Sequence, residues 1–415
     1  MNTLYDDRAE KHLLSPSSPF FSMFLDFCHK SKNLYNYATY KIRDKYSKEG
    51  KWLRYQDLDK ELRNDIEYPD YRSMPTAQSA QQILRLVDQT WGSYFSAKRE
   101  YKKDPGKFLG KPRPPKYKEK NGHFLLVLTN QECKLKEDGK LHFPKVFGGF
   151  EITPKFTERK DFVSFQQFRA FYDGTNIVIE LVYRILKAEL LPDNGKYAAI
   201  DMGVDNLAAL VTNTEHKPML VNGRPLKSMN QYYNKKLAKV KSCLGKRNKK
   251  KSSKRIKRLN QKRNHKIMDF MHKASKLVVE ELVRRNIHTL IIGKNKNWKQ
   301  GSSLSKKVNQ NFVQIPLGKF IELLKYKAEE KGITVILVNE SYTSGTSFLD
   351  NELPVKKFYN KSRRKHRGLF VSNTGKRINA DVNGAFQIMR KAIPNTHKSY
   401  GIEGLVLNPF VVTAA

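Results

Sequence analysis

Hydrophobic and polar positions follow one another along this chain in three successive manners. From residue 20 to about 103, apolar residues recur at mixed three- and four-residue spacing, as at Phe24, Leu25 and Phe27 and later at Ile83, Leu84, Leu86, Val87, Trp91 and Tyr94. That is the periodicity of helices with one buried face. Pro75 opens the second run, where proline suits a first helical turn. Residues 102–120, dense in Pro, Gly and Lys, break all regular structure and read as a basic linker or surface loop. Between about 123 and 187 the pattern shortens to β-type runs at 124–128, 140–143, 150–152, 162–165 and 176–183. Such runs predict a small barrel or sandwich, and a helical block set before most of it predicts an insertion or a neighbour.

The motif Pro192-Asp-Asn-Gly195 separates these from a third region. There the pattern predicts strands at 198–201, 208–212 and 217–221, then a long basic helical stretch. A strand at 288–293, a helix at 316–331, a strand at 333–340 and a helix at 379–392 follow. Strands first, then helix and strand in alternation, make a mixed α/β sheet. No internal repeat is apparent, and 415 residues allow two or three domains with a substantial core.

Charge changes the picture. Against 40 Asp and Glu stand 79 Lys and Arg, a formal charge of +39. Self-repulsion at that level is costly unless a polyanion neutralises it, which points to nucleic acid. The bland alternatives are a solvated basic surface or docking on anionic membranes, but no long apolar segment or lipidation signal accompanies the charge. Cys28, Cys133 and Cys243 are isolated, with no CxxC spacing, so neither a zinc knuckle nor a disulfide framework is supported. The N-terminal residues lack a secretory pattern, and a cytoplasmic, reducing compartment is expected.

Three acids then stand out. Asp201 ends the first strand of the third region, with Gly203 beside it to permit a sharp turn; Glu340 closes the strand 333–340; Asp381 lies near the start of the last helix. Two-metal hydrolysis of a phosphodiester needs carboxylates flanking ions held about 3.5–4 Å apart. Magnesium takes hard oxygen ligands and keeps several waters, so three acids suffice. Singly, each acid has an ordinary reading as a cap or an exposed strand end, and the helix dipole alone favours an acid at 381. Asp201 also suits a nucleotide-binding fold, although no GxGxxG accompanies it.

The local motifs Asp201-Met-Gly-Val-Asp-Asn-Leu-Ala and Asn379-Ala-Asp-Val-Asn-Gly-Ala resemble the first and third motifs of the RuvC-like nuclease domain of transposon-encoded TnpB proteins, a domain type V CRISPR effectors share. Segments beginning at Lys294, Asn309, Pro316 and Glu340 are similar to family segments, as are Gln78-Ser-Ala-Gln-Gln-Ile-Leu and Leu128-Thr-Asn-Gln upstream. The resemblance implies an RNA-guided DNA endonuclease with Asp201, Glu340 and Asp381 holding two Mg²⁺ ions, with Mn²⁺ as the expected substitute. It implies a guide RNA and a double-stranded target bearing a short flanking motif as partners, with no membrane, and leaves the oligomeric state open.

Two departures qualify it. The family's second-motif glutamate ends the strand that here closes on Gly293 and Lys294. Glu340, one strand further out, is the expected replacement, since adjacent strands lie about 4.8 Å apart; Glu352 and Asp350 are the alternatives. The ordinary reading is a solvent-facing Glu340 and a dead enzyme, hence a guided DNA-binding regulator. The cysteine pairs of many relatives are also missing from the interval before Asp381, so no zinc is expected, and packing around Phe348, Leu349 and Phe358 is expected to replace it. Asn383 is a secondary candidate, either near the metals or in a local hydrogen bond.

Residues 235–266 carry Lys or Arg at about half their positions and no acid, over a thin stripe of Leu237, Val240, Leu244, Ile256 and Leu259. A helical pair that neutralises phosphates is the expectation, with Lys250, Lys254, Arg255, Arg258 and Lys262 as contacts. Gln78, Gln81 and Gln82 share a helix face, and glutamines read base edges; with Thr129 and Asn130 they are expected to read the flanking motif. Tyr94, Phe95, Tyr101 and Phe108 are candidates for base stacking, though at this spacing aromatics are mostly core. The expected fold is multidomain: a β-barrel, wedge-like module at 1–20 and 116–190, a helical recognition domain at 21–115, and a RuvC/RNase H-like nuclease domain at 195–395. The last includes the basic helices 228–285 and a zinc-less lid at 341–377, and a C-terminal tail, 396–415, follows. A compact CRISPR effector of the same chemistry is the remaining alternative.

Overall fold

The computed structural model describes residues 4–248, 252–295, 314–366, 368–394 and 403–414. It divides into two compact units, 1–187 and 188–415.

In the first unit, β1 (Tyr5–Leu14) alternates exposed and half-buried residues. It is followed by helices α1 (Phe21–Glu49), α2 (Tyr55–Asn64) and α3 (Ala77–Lys103). α3 starts at Thr76, whose side chain accepts from Ser79 N while the Ser79 hydroxyl side faces back to Thr76 N, a reciprocal cap. Much of the segment 102–120, expected as a basic linker or surface loop, lies outside regular structure, and its end is stapled along α1. Asn36 donates to Lys118 O and accepts from Lys118 N, and Lys32 donates to Lys120 O. Side chains thus satisfy backbone groups that no ladder provides for.

The strands β2 (Leu126–Thr129), β6 (Phe162–Tyr172) and β7 (Ile177–Leu186) join β1 in a sheet of order β1-β7-β6-β2, antiparallel throughout. β6 and β7 turn at Asp173-Gly174, where Gly174 takes φ 100° and Asp173 Oδ1 accepts from Thr175 N and Asn176 N. A separate small sheet holds β3 (Lys134–Leu135), β4 (Leu141–His142) and β5 (Glu151–Ile152). The expected barrel is therefore two sheets whose strand orders do not close. Helices and strands share one core, in which Phe24 packs on Phe147, Phe150 and Phe168.

The second unit is built on a six-stranded sheet of order β12-β11-β8-β9-β10-β16. Its strands are β8 (Tyr197–Asp201), β9 (Asn206–Thr212), β10 (Met219–Asn222), β11 (Thr289–Gly293), β12 (Thr334–Val338) and β16 (Phe410–Val412). β8, β9 and β10 run as an antiparallel meander; β11 and β12 add in parallel beside β8. The near-continuous apolar runs of β9 and β11 fit strands buried on both faces. The sequence treats 396–415 as a tail, but β16 pairs in parallel with β10 and is a strand of this sheet. Three residues are too short for their alternation to show in the sequence.

The basic helices α4 (Arg224–Asn248) and α5 (Lys254–Arg284) pack together, and α5 packs on α6 (Leu317–Glu329). Three short strands, β13 (Arg364–His366), β14 (Leu369–Val371) and β15 (Arg377–Asn379), form an antiparallel sheet that feeds α7 (Ala380–Ala392). α7 is buried over most of its length against β8, β9 and β11. A short helix, α8 (Glu403–Val406), precedes β16. Among the described residues, no helix is long and apolar enough to cross a membrane.

Candidate active site

Three elements deliver the three acids to one cavity of about 830 Å³. Asp201 is the last residue of β8. Glu340 lies two residues past β12, two strands from β8 in the sheet order, so the expected strand end at 340 falls short while the side chain still arrives. Asp381 is in the first turn of α7, but the cap of that helix is Asn379, whose side chain accepts from Asp381 N and Val382 N. The ordinary helix-start role is thus filled by a neighbour, which leaves the Asp381 carboxylate for the cavity.

Two of the carboxylates press against glycines, and the third is in ordinary contact range of one. A Cβ on Gly384 would overlap Asp201 Oδ2, a Cβ on Gly293 would sit 2.8 Å from Glu340 Oε2, and one on Gly203 would sit 3.9 Å from Asp381 Oδ2. Gly293, where the family's usual acid is missing, therefore makes room for Glu340. Glu340 Oε1 accepts from Asn295 Nδ2 at 2.9 Å, whereas Oε2 is buried and has no hydrogen-bond partner among the described residues. Burial pushes the Glu340 carboxyl up to about 7. Burial, and then the nearby charges of Asp381 and Glu340, push Asp201 well above the ordinary carboxylate range, against the opposing pull of Arg364.

Asp381 is differently served: Oδ1 accepts from Arg364 at 3.1 Å and Oδ2 from Asn206 Nδ2 at 2.8 Å. Among the described residues, no three His, Cys, Asp or Glu side chains are already drawn together as a metal-holding group. Arg364 and the two amides hold charge that an incoming cation would take over. The donor set, hard carboxylate oxygens of which one is unpartnered among the described residues, fits a divalent ion that displaces Arg364. Sequence reading missed Arg364, Asn206 and Asn295; the Asp205-Asn206 pair lay inside the first motif, but nothing in the pattern marks Arg364.

The alternatives Asp350 and Glu352 do not line the cavity. Glu352 receives both terminal nitrogens of Arg363 at 2.8 Å and the Ser347 N–H, and Asp350 accepts from Asn373 N. The Arg363, Asp350 and Glu352 side chains are each about nine-tenths buried. This ion cluster, with Phe348 stacked 4.1 Å from Phe386, holds the lid; Phe358, expected in that packing, is 38% exposed. Asn383 accepts from Phe348 N and donates to Thr346 O, fully buried, so it ties the lid to α7 and does not face the cavity.

Elsewhere, Gln78 and Thr129 meet: Thr129 Oγ1 donates to Gln78 Oε1 at 2.7 Å, and Gln78 Nε2 donates to Gln131. Gln81 is half-buried and Asn130 exposed. Tyr94 and Phe95 pack on Trp91, Trp52 and Tyr46 against the core, whereas Tyr101 and Phe108, both half-buried, pack on each other. Lys254, Arg255, Arg258 and Lys262 are exposed along α5 over the buried Ile256, whereas Lys250 lies outside the described residues.

Comparison with known proteins finds relatives along most of the chain. Residues 180–299 match the OrfB_IS605 family, described as "Probable transposase", and residues 318–388 match the "Cas12f1-like, TNB domain" family. A "TnpB-like protein ORF457" of Acidianus two-tailed virus is 23% identical over 401 residues, 88% of this chain and 82% of that protein. The solved "mini-RNA-guided endonuclease CRISPR-Cas_phi3" has the same fold at 10% identity, with a TM-score of 0.50 over 95% of this chain and 93% of that one. A Cas12f1-sgRNA-target DNA complex aligns at 13% identity over 93% of this chain and 100% of that one, with a TM-score of 0.37. Two family matches span the acid-bearing elements, and a TnpB-like relative aligns along 88% of the chain; together they support kinship with the TnpB proteins.

Proposed function

We propose that this protein is an RNA-guided DNA endonuclease that hydrolyses the target backbone at Asp201, Glu340 and Asp381. The observation that carries the reading is the convergence of three acids, 139 and 41 residues apart in sequence, on one cavity, with glycines making room for Asp201 and Glu340. The strand order, with β8 central and β11 and β12 added in parallel, supports a RuvC/RNase H-like sheet.

The three carboxylates would hold two Mg²⁺ ions, with Mn²⁺ as a substitute. Bound divalent ions supply Lewis-acid activation of a phosphodiester and an ionised water near neutral pH. The protein's own groups prepare the site. Arg364 would release Asp381, while Asn206 and Asn295 orient the carboxylates of Asp381 and Glu340.

A guide RNA would supply sequence by base pairing while the protein reads backbone shape. The exposed row Lys254, Arg255, Arg258 and Lys262 fits a phosphate-neutralising face. The joined Gln78 and Thr129, with Gln81 and Asn130 nearby in sequence, fit the reading of a short flanking duplex motif. The division into wedge-like, helical, nuclease and terminal segments given above is part of the same proposal.

The test is cleavage by protein purified with its co-expressed RNA, using matched and scrambled duplexes in Mg²⁺. Matched cutting, lost in Asp201→Ala and Glu340→Ala and kept in Glu352→Gln, is expected. A second reading, a guided DNA-binding regulator, draws on the Arg364 hold on Asp381 and the glycine at 293. RNA-dependent binding without cutting in either metal would establish it.

A further inference from the structure

The acid cavity has a rim of three cations, Arg224, Lys227 and Arg364. Two of them are engaged: Lys227 pairs with Asp205 and Arg364 with Asp381. Arg224 is exposed, and among the described residues it has no acid partner. It sits in the first turn of α4, a 25-residue helix with no acid in that turn. A cation there opposes the helix dipole, so the position is one where an incoming anion gains from side chain and helix end together.

The turn that presents it is fixed from two sides. Asn222 Oδ1 accepts from Arg224 N at 3.0 Å, and Gly223 N donates to Asp205 O at 2.8 Å. Gly223 has no room for a Cβ, which would overlap Val204 O and lie 3.1 Å from Leu207 N. From the other side Asn222 Nδ2 donates to Thr413 Oγ1 at 3.1 Å, just past β16, the edge strand beside β10. β16 also contributes Val411, 62% exposed, to the cavity wall next to Leu220. An apolar wall, an unpaired guanidinium and a floor of carboxylates suit a nucleic-acid strand: the floor repels phosphates that no metal neutralises, and the guanidinium fork accepts them.

Resting on the nuclease reading of this cavity, we propose that Arg224 receives a backbone phosphate of the strand being cut, one beside the scissile phosphate, in a turn buttressed by the edge strand β16. Arg224 acts on substrate position rather than on the bond that breaks.

The test couples the residue to single phosphates. Matched targets carrying one uncharged methylphosphonate at successive positions around the cut are cleaved by wild type, Arg224→Ala and Arg224→Lys with co-purified RNA. At one position beside the cut, neutralisation should slow wild type about tenfold and Arg224→Ala by less than twofold further, with Arg224→Lys between them. Equal slowing of wild type and Arg224→Ala at every position would overturn the proposal. If wild type cuts nothing, the nuclease reading fails separately. The contact is then read from the salt dependence of single-stranded DNA binding in EDTA, where Arg224→Ala should lower the slope of log K against log salt by about 0.7. An unchanged slope would overturn the contact as well. Should Arg224→Ala not fold, Arg224→Gln carries the same comparison.

Discussion

The carboxylate of Glu340 fills the space that a side chain on Gly293 would take: a Cβ at 293 would lie 2.8 Å from Glu340 Oε2 and 2.5 Å from Ile388 Cδ1. An acid at the end of β11 and an acid arriving from beyond β12 therefore exclude one another. Gly293→Ala should displace Glu340 and reduce cleavage by about 100-fold, the scale of a misplaced reacting group. Gly293→Glu combined with Glu340→Ala should cut better than either single variant. Single-turnover rates on a matched target check both; a double variant no better than the singles would refute the exchange.

The raised carboxyl of Glu340 makes stability fall as pH rises. The folded protein holds its proton up to about 7, whereas an unfolded glutamate loses it near 4.5, so between these values the folded state binds more protons and loses stability with increasing pH. Asp201, raised by burial and its acidic neighbours, acts in the same direction. Glu340→Gln should therefore raise the melting temperature at pH 8 by about 3 °C and leave it nearly unchanged at pH 4.5, while abolishing cleavage. Calorimetry at the two pH values decides it. An equal shift at both would remove the charge argument.

Arg364 and a divalent ion compete for Asp381. Arg364→Ala should tighten Mn²⁺ binding several-fold, seen as a larger melting shift at a given Mn²⁺ concentration. Asp201→Asn should abolish that shift. EDTA should reverse it in wild type without unfolding the chain.

Arg363 is the buried anchor of the lid, and its removal leaves Glu352 and Asp350 as uncompensated buried acids. Arg363→Ala should destabilise the second unit by about 3 kcal/mol. Denaturant melts report the loss. A lid held by the phenylalanines alone would show less than about 1 kcal/mol.

Much of the site was legible because its acids sit at pattern boundaries: Asp201 and Asp381 each end an apolar run inside a short motif. The sheet was legible for the same reason, as β8, β9, β11 and α7 carry enough buried residues to show a period. What escaped were features set by tertiary contact alone. β16 is three residues long, the strand pairing of the first unit is not written in periodicity, and Arg364 gains its role by reaching Asp381, 17 residues further along the chain. Phe358 looked like core from its apolar side chain, yet it is 38% exposed, while Phe348 and Leu349 are buried beside the Arg363 ion cluster.

An ionic lid answers to different hazards than a thiolate one. The cysteines of this chain lie at 28, 133 and 243, outside the lid, so oxidants and chelators that dismantle zinc-thiolate staples have nothing to attack there. Heating also treats it kindly. The cost of desolvating Arg363, Asp350 and Glu352 falls as temperature rises. The cover over the candidate active site should thus be among the last parts of its unit to loosen in a warm, peroxide-rich or metal-starved cell.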